Sequence, residues 1–484
     1  MNQNCIFKRW PSFVIIVLVV LIIITPSAIQ PPAVASHDDS PESDAATPDA
    51  NIRERRPFTL FPSNQSSIPD KTNVTLSGLF TDLGDPGRWN QLLQPALDEL
   101  NRRHPDMNIQ IEYTDSLYNV TRERILDRLS NGDSVDIVSV GDIWLGEFAE
   151  KGLLSNLTDE FEQWGRMSDL YEANLDGSVY NNTIYGLWLW TDIRGMWYWK
   201  DMLQEAGVDP ESLKTWDGYI SAAVRLNDFF EEDDNVIQGV HLVSASYDPD
   251  MWYPYLWMLG GEILELREGH PTKDVYWFPS YNSSEGVEAM EFLKRQVDAG
   301  IEPQEREAIE PTFVNRNFSV MLGGSWMPGF FPRESWPTLE QEVGFIPMFP
   351  VPNQTIQTST MMGGYELSIP ATSQNSELAW ELITMMAEPE ILGPFLQEYG
   401  YLPTQKTLGE GPSSQPLRES IPFFEEMVSM IPYGRSRPSL PEYPEIAEHI
   451  HQAIQQVYNG SASSSPEDAL DAAAAKSADS LGWQ

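Results

Sequence analysis

Residues 74–140 constrain the fold most, because their apolar pattern switches regularly between a period of two and a helical period. The pattern predicts strands at 74–80, 109–113 and 135–140, separated by helices at Trp89–Arg103 and 121–129. Strands that alternate with helices form a mostly parallel sheet with helices on its faces. We therefore predict an α/β fold with its ligand site beyond the carboxyl ends of the strands, near 82–88 and 141–144.

The length of the chain predicts more than one such unit. A chain of 484 residues exceeds the size of one ordinary core, so we expect two domains of about 150–250 residues each. Further helices are predicted at Lys200–Ala206, 216–231, 284–299, Ser376–Met386 and 444–458. The chain is predicted to end in a short helix within 461–475 and a loose tail at 476–484.

The N-terminal residues have the order of an export signal. Lys8 and Arg9 precede an apolar run at 13–24, and Ala33-Val34-Ala35 offers small residues to a signal peptidase. Two interpretations of 1–35 stay open, a cleaved signal peptide and an uncleaved membrane anchor, since a slightly longer segment could almost span a bilayer with tilt. Residues 36–71 are rich in Ser, Pro, Asp and Ala, which predicts a disordered spacer.

Cysteine and asparagine usage agree with an exported chain. The single cysteine, Cys5, precedes the apolar run, so a lipoprotein attachment site is absent and the exported part has no disulfide. Glycosylation sequons fit a surface glycoprotein, although many sequons are never modified, and we use them as support for location only. They begin at Asn64, Asn73, Asn119, Asn156, Asn181, Asn282, Asn317, Asn353 and Asn459.

The charge of the chain excludes some partners. A formal net charge of −42 repels nucleic-acid phosphates and anionic lipid headgroups, so we predict no nucleic-acid partner. The six histidines show no ligand-like spacing and no mature cysteine exists, so we predict neither a metal nor a cofactor.

A series of sequence blocks resembles, in order, the family-1 extracellular solute-binding proteins, which include maltose- and trehalose-binding proteins. The resemblance spans about 73–475, with Trp199 in place of the family's common Asn. The blocks are DIVSVGDIW at 136–144, IYGLW at 184–188, TDIRGMWYWKD at 191–201, GGEIL at 260–264, FSVMLGGSW at 318–326, GGYELSIP at 363–370, GYLPT at 400–404 and RPSLPEYP at 437–444.

This resemblance implies the two-lobed, type II periplasmic-binding-protein (Venus-flytrap) architecture with hinge-crossing segments. It implies one lobe from 72–184 and 343–395, and another from 185–342 and 396–475. The implied function is the non-enzymatic, extracytoplasmic substrate-binding component of an ABC importer, a monomer that closes on a sugar and delivers it to the permease. We expect an oligosaccharide and an extracellular, cell-surface or periplasmic location.

A sugar site combines flat apolar rings, which stack on C–H faces, with carboxylates, amides and Arg, which bind hydroxyls. The resemblance places Asp142, with Trp144 beside it, at a sugar-contacting position. The alternative for Asp142 is a helix N-cap. Trp326 and Tyr365 match aromatic positions expected to face each other across the cleft, and adjacent glycines favour a ligand platform over a core role. Asp192 lies on the crossing strand.

Further candidates come from less specific segments. Asp250 and Trp252 fall in a segment whose family counterparts reach the cleft. Either Arg435 or Arg437 is a candidate to close over the ligand, with a surface ion pair as the alternative. Asp85 and Arg88 belong to the first loop.

Two other functions stay open at this stage. Asp/Glu pairs and Trp platforms also describe a glycoside hydrolase, although no spacing singles out an acid and a nucleophile. The second alternative is the same fold with a polyamine held between Trp faces and carboxylates through cation–π contacts, which agrees with the overall acidity.

Overall fold

The computed structural model describes residues 57–63, 71–81, 83, 87–230, 238–243, 249–301, 303–304, 309–347, 350–352, 358–458 and 465–483. The predicted signal peptide or anchor at 1–35 and the candidate Asp85 lie outside these residues. Within them, no helix is both long and apolar enough to cross a bilayer.

The described chain contains both strands and helices along its whole length. The strands are β1 Phe58–Leu60, β2 Thr72–Thr81, β3 Met107–Ser116, β4 Ile137–Gly141, β5 Val179–Tyr180, β6 Thr183–Ile184, β7 Gly186–Trp188, β8 Trp190–Thr191, β9 Arg194–Trp199, β10 Gln238–Val243, β11 Leu264–Glu268, β12 Val275–Pro279, β13 Pro303–Gln304, β14 Phe318–Gly324, β15 Val343–Ile346, β16 Thr360–Met361, β17 Tyr365–Ser368, β18 Leu402–Pro403 and β19 Gly434–Arg435. The helices are α1 Trp89–Arg103, α2 Tyr118–Ser130, α3 Leu145–Glu150, α4 Thr158–Trp164, α5 Glu172–Gly177, α6 Lys200–Ala206, α7 Trp216–Phe230, α8 Tyr253–Met258, α9 Ser284–Asp298, α10 Ile309–Val314, α11 Trp336–Glu342, α12 Ser376–Met386, α13 Pro389–Tyr399, α14 Lys406–Gly409, α15 Gln415–Ser420, α16 Phe424–Met430, α17 Tyr443–Tyr458 and α18 Pro466–Ser480.

The first lobe is built on a six-stranded sheet in the order β1-β3-β2-β4-β17-β7. Its centre, β3-β2-β4, is parallel as the alternating pattern predicts, whereas β1, β17 and β7 join in antiparallel pairs. Helix α1 covers the sheet with one buried face. The buried residues recur at intervals of three and four, and residues at that spacing lie on the same side of a helix. The buried residues are Trp89, Leu92, Leu93, Ala96, Leu97 and Leu100.

The second lobe is built on a five-stranded sheet in the order β13-β10-β14-β9-β15. Strands β13, β10 and β14 pair in parallel, while β14 and β15 both pair antiparallel with β9. Helices α9, α17 and α18 pack against one another on this lobe. The chain passes between the lobes through residues 189–193, between β7 and β9, and again between β15 and β17.

The lobe boundaries differ from those that the resemblance implied. Strand β7, which lies within the predicted second lobe, pairs with β17 in the first sheet. Strand β15, which lies within the predicted first lobe, pairs with β9 in the second sheet, where the Phe345 ring lies 4.4 Å from the Trp197 ring. Burial of β15 along its whole length explains its place in the second sheet.

Two segments predicted to lack structure are ordered. Part of the predicted spacer at 36–71 forms β1, which pairs with β3 and stacks Phe58 on Tyr113 at a ring distance of 5.0 Å. The predicted tail at 476–484 begins inside α18, which runs to Ser480. Beyond it, Trp483 donates its ring N–H to the carbonyl of Trp277 at 2.6 Å. Aromatic burial, which composition alone does not reveal, orders both segments.

Candidate functional site

Asp142 follows directly on β4 and occupies the first position of a 3-10 turn at Asp142–Trp144. Its carboxylate accepts two hydrogen bonds from Arg437, at 3.0 Å from Nε and 2.7 Å from Nη2, so the pair is bidentate. Both side chains are nearly buried, with exposed fractions of 2% and 9%. Asp142 is not the N-cap residue of this turn, which is Gly141, nor that of α3, which is Trp144. The acid at the end of β4 is therefore oriented by an arginine that is remote in sequence.

Arg194, the first residue of β9, lies between two further candidate acids. Its Nη1 donates to Asp192, and its Nη2 lies 3.5 Å from Oδ2 of Asp250. Asp192 also accepts a hydrogen bond of 3.1 Å from the backbone N–H of Gly363, which joins the two crossing segments. Burial raises the pKa of Asp192 above its ordinary value, although the neighbouring Arg194 opposes that change.

Trp326 follows β14 and is half-buried beside Arg194. The Arg194 guanidinium lies over the indole, 4.3 Å from the ring centroid, and the indole N–H donates to Glu310 at 2.9 Å. A Cβ at residue 324 would lie 2.0 Å from the Trp326 ring, so Gly324 is needed for the ring to pack on the backbone. The glycine before Trp326, which the sequence argument linked to a close approach of ligand, thus makes room for the Trp326 ring.

Tyr365 begins β17 and is half-buried in the first lobe. Burial raises the pKa of its phenol above the ordinary value, and the nearby charges of Asp192 and Asp142 raise it further. Arg88 lies further out, where it donates to the Tyr401 hydroxyl at 3.0 Å and stacks 4.2 Å from the Tyr399 ring centroid.

These contacts define the interlobe cluster: Asp142, Asp192, Arg194, Asp250, Trp326, Tyr365 and Arg437. The carboxylates in it are held by arginines, and the described residues contain no group of His, Cys, Asp and Glu that converges as metal ligands. The cluster therefore offers oriented hydrogen-bond acceptors, a phenol and an indole at the junction of the two lobes.

Besides Arg88, three candidate residues are not members of the interlobe cluster. Trp144, exposed by 2%, packs 6.5 Å from the Phe148 ring in a hydrophobic core, and Trp252, exposed by 1%, is also in a core. Arg435 pairs with Glu262 at 2.5 Å and lies over the Trp257 ring. Together with Arg437 of the cluster, it lines a cavity of about 630 Å³ between the β5–β6 and β11–β12 hairpins.

Arg194 is the member of the cluster that the sequence argument missed, although a signal for it was present. In a strand, residues two apart point to the same face, so an Asp-x-Arg sequence entering a strand places both side chains side by side. Asp192 and Arg194 have this spacing. The approach of Asp250, 56 residues further along the chain, had no local signal.

Comparisons with known proteins identify the family of the chain. The family described as "Bacterial extracellular solute-binding protein" matches residues 87–391, well over half of the chain. The chain belongs to this family. Among curated relatives, a protein of Brucella abortus named only as a binding protein is 24% identical over 370 residues, which are 74% of this chain and 82% of the relative.

Solved structures place this solute-binding protein in the two-lobed fold. The cyclic α-maltosyl-1,6-maltose binding protein of Arthrobacter globiformis has a TM-score of 0.69 at 20% identity, covering 85% of this chain and 99% of that one. An ABC transporter solute-binding protein of Thermotoga lettingae, bound with α-D-tagatose, has a TM-score of 0.68 at 22% identity, covering 85% and 100%. The α/β two-lobed architecture expected from the sequence is confirmed.

Proposed function

We propose that this solute-binding protein is the extracytoplasmic substrate-binding component of an ABC importer and that its solute is a neutral sugar, in the first instance an oligosaccharide. The sugar would lie at the interlobe cluster, touch both lobes and favour their closed arrangement. An importer permease would then receive it from the closed protein. We propose that the protein is exported, as a monomer, and leave open whether its N-terminus is cleaved or serves as an anchor.

The observation that carries this proposal is the half-buried Trp326 beside carboxylates whose orientation is fixed by arginines. Asp142 is held by the fork of Arg437, and Asp192 is held by Arg194. A carboxylate oriented in this way accepts hydroxyl hydrogens through strong, charge-assisted bonds, and an indole stacks on the C–H face of a sugar ring. This pairing of acceptors with a ring suits a polyhydroxylated solute.

The charge balance of the cluster favours a neutral solute over a polyamine. Asp142 is neutralised by Arg437, and Arg194 stands between Asp192 and Asp250. A polyamine would compete with these arginines for the same carboxylates, and the arginines would repel it. The relatives support the choice of a sugar, because the names of the two solved proteins contain a cyclic maltosyl-maltose and tagatose.

Closure of the lobes supplies the transport step of the proposal. Asp142 and Tyr365 belong to the first lobe, while Trp326 and Asp250 belong to the second. A solute that contacts both sets of residues binds the closed state more tightly, and only such a difference in affinity shifts the equilibrium. The hinge closure of periplasmic binding proteins is a standard example of this behaviour.

We propose that the protein binds its sugar without cleaving it, and one experiment tests both the binding and the absence of cleavage. The purified protein is heated with a panel of neutral sugars and with spermidine, and each mixture is also assayed for new reducing ends. A sugar at about 100 times its dissociation constant should stabilise the protein by about 2.7 kcal/mol, with no new reducing ends. Stabilisation by spermidine alone would contradict a sugar as the solute, and turnover would favour a hydrolase.

A further inference from the structure

Arg194 makes three different contacts from one buried position. Its guanidinium contacts Asp192 and Asp250 and also stacks on Trp326, 4.3 Å from the ring centroid. Its side chain is exposed by only 4%, as is that of Asp250. Its Nε is buried and donates to no acceptor among the described residues. A planar guanidinium suits this position because it can form in-plane hydrogen bonds while its face stacks on a ring.

The electrostatic role of Arg194 follows from its surroundings. Two ionised aspartates with one buried cation between them carry one net negative charge instead of two, so this group attracts a further cation less strongly than the aspartates alone would. Without that cation, the same aspartates would form a strongly negative pocket within a chain whose net charge is already −42. The overall acidity of the protein would then draw cationic solutes to the cluster.

We propose that Arg194 is the positioning and selectivity residue of the solute site. It holds Trp326 and the two aspartates in place, and its positive charge offsets one of the two aspartate charges, which weakens the binding of cations relative to neutral solutes. This inference rests on the proposed function for its neutral solute, but cation rejection can be measured whichever sugar is bound.

The test compares variants that separate the charge of Arg194 from its shape. Arg194→Met removes both the charge and the planar fork, whereas Arg194→Lys keeps the charge. The matched control is Arg316→Met, because Arg316 also pairs with an aspartate, Asp201, and stacks 4.1 Å from the centroid of a tryptophan, Trp199, but lies outside the cluster. Each variant is titrated calorimetrically with spermidine and with a panel of neutral sugars that includes maltotriose.

Spermidine should bind Arg194→Met about tenfold or more tightly than the wild-type protein. Arg194→Lys and Arg316→Met should bind spermidine as weakly as wild type. Neutral sugars should bind more weakly to both Arg194 variants, because lysine cannot replace the fork and the stacking face. Arg194→Gln carries the same spermidine prediction if Arg194→Met does not fold.

The experiment distinguishes a failure of the selectivity role of Arg194 from a failure of the proposed function. Unchanged spermidine binding in the folded Arg194→Met or Arg194→Gln protein would overturn the selectivity role of Arg194. An equal gain in Arg316→Met would overturn it as well, since the gain would then reflect net charge alone. If the wild-type protein binds none of the neutral sugars, the proposed function fails, and the spermidine comparison still decides whether Arg194 rejects cations.

Discussion

The two candidate arginines, Arg435 and Arg437, each pair with a carboxylate, but the two ion pairs differ in how deeply they are buried. Arg437 is 9% exposed and makes a bidentate pair with the buried Asp142. Arg435 is 40% exposed and pairs with Glu262, itself 48% exposed. Removing one partner of a buried pair leaves an uncompensated charge in the interior, whereas an exposed pair contributes little.

Replacing these arginines should therefore have unequal effects on stability. Arg437→Ala should lower the free energy of unfolding by about 3–5 kcal/mol, because Asp142 is left buried without its fork. Arg435→Ala, the matched control, should change it by less than about 1 kcal/mol. Urea unfolding followed by circular dichroism measures both values. Equal losses in the two variants would show that the Asp142–Arg437 pair is not buried as described.

Glu366 is a fully buried acid on β17, and the polar side chains beside its carboxyl group are the uncharged Ser178 and Trp188. Burial raises its pKa from an ordinary value of 4.5 to about 8, so the folded protein keeps it protonated at neutral pH. The unfolded chain releases this proton above about pH 4.5. The contribution of Glu366 to stability is thus complete below that pH and is lost as the pH rises through about 8.

Glu366→Gln should remove this pH dependence. The amide stays neutral, so the variant should lose less unfolding free energy than wild type between pH 5 and pH 9 and should be the more stable protein at pH 9. Urea unfolding at a series of pH values gives the comparison. Parallel pH profiles for the two proteins would mean that Glu366 is ionised in the folded state at neutral pH.

Secondary structure elements were predictable where a periodic apolar pattern defines them. Helices α1, α6 and α12 have the predicted bounds, because each buries one face at helical spacing and ends at a clear break. The strand after which Asp142 lies was predicted for the same reason. The last helix was underestimated, since its Ala-rich sequence carries a weak amphipathic signal and its ordering depends on α9 and α17.

The candidate site was only partly predictable, and the reason is the distance in sequence between contacting residues. Asp142 and Trp326 stand at strand ends, which a local pattern reveals. The Asp142–Arg437 pair joins residues 295 apart, and no periodicity indicates which of two neighbouring arginines makes it. Trp144 and Trp252 were candidates because the resemblance placed Trp144 beside Asp142 and Trp252 in a segment that reaches the cleft, but the packing that buries a tryptophan is set by distant elements.

The C-terminal element gives a test of its own. Truncation after Ala475 removes the last third of α18 together with the buried Ser477 and Leu481 and the Trp483 hydrogen bond to Trp277. We expect the truncated protein to unfold at a clearly lower temperature, because these residues cover α9 and the β11–β12 hairpin. Lys476→Ala, at an exposed position of the same helix, is the control. An unchanged melting temperature after truncation would restore the interpretation as a loose tail.

At the scale of the whole molecule, the arrangement of two sheets explains why the site can act as a transport device. Each lobe has its own sheet and helices, and residues 189–193 and the segment before β17 connect them. Cluster residues from both lobes meet where the connections cross, so a bound solute would add contacts on both sides at once. The acidity of the chain keeps the exterior solvated, while Arg194 and Arg437 offset two of the three aspartate charges at the junction.

The distance between the lobes, measured with and without sugar, tests this account most directly. Spin labels at Glu123 on α2 and Lys294 on α9, both exposed, would report it by electron–electron resonance in a Cys5→Ser background, which removes the only natural thiol. The distance should shorten when a stabilising neutral sugar is added, and should stay unchanged when Asp142→Ala or Trp326→Ala is also present. A sugar that binds without changing the distance, or that shortens it equally in those variants, would contradict capture between the lobes.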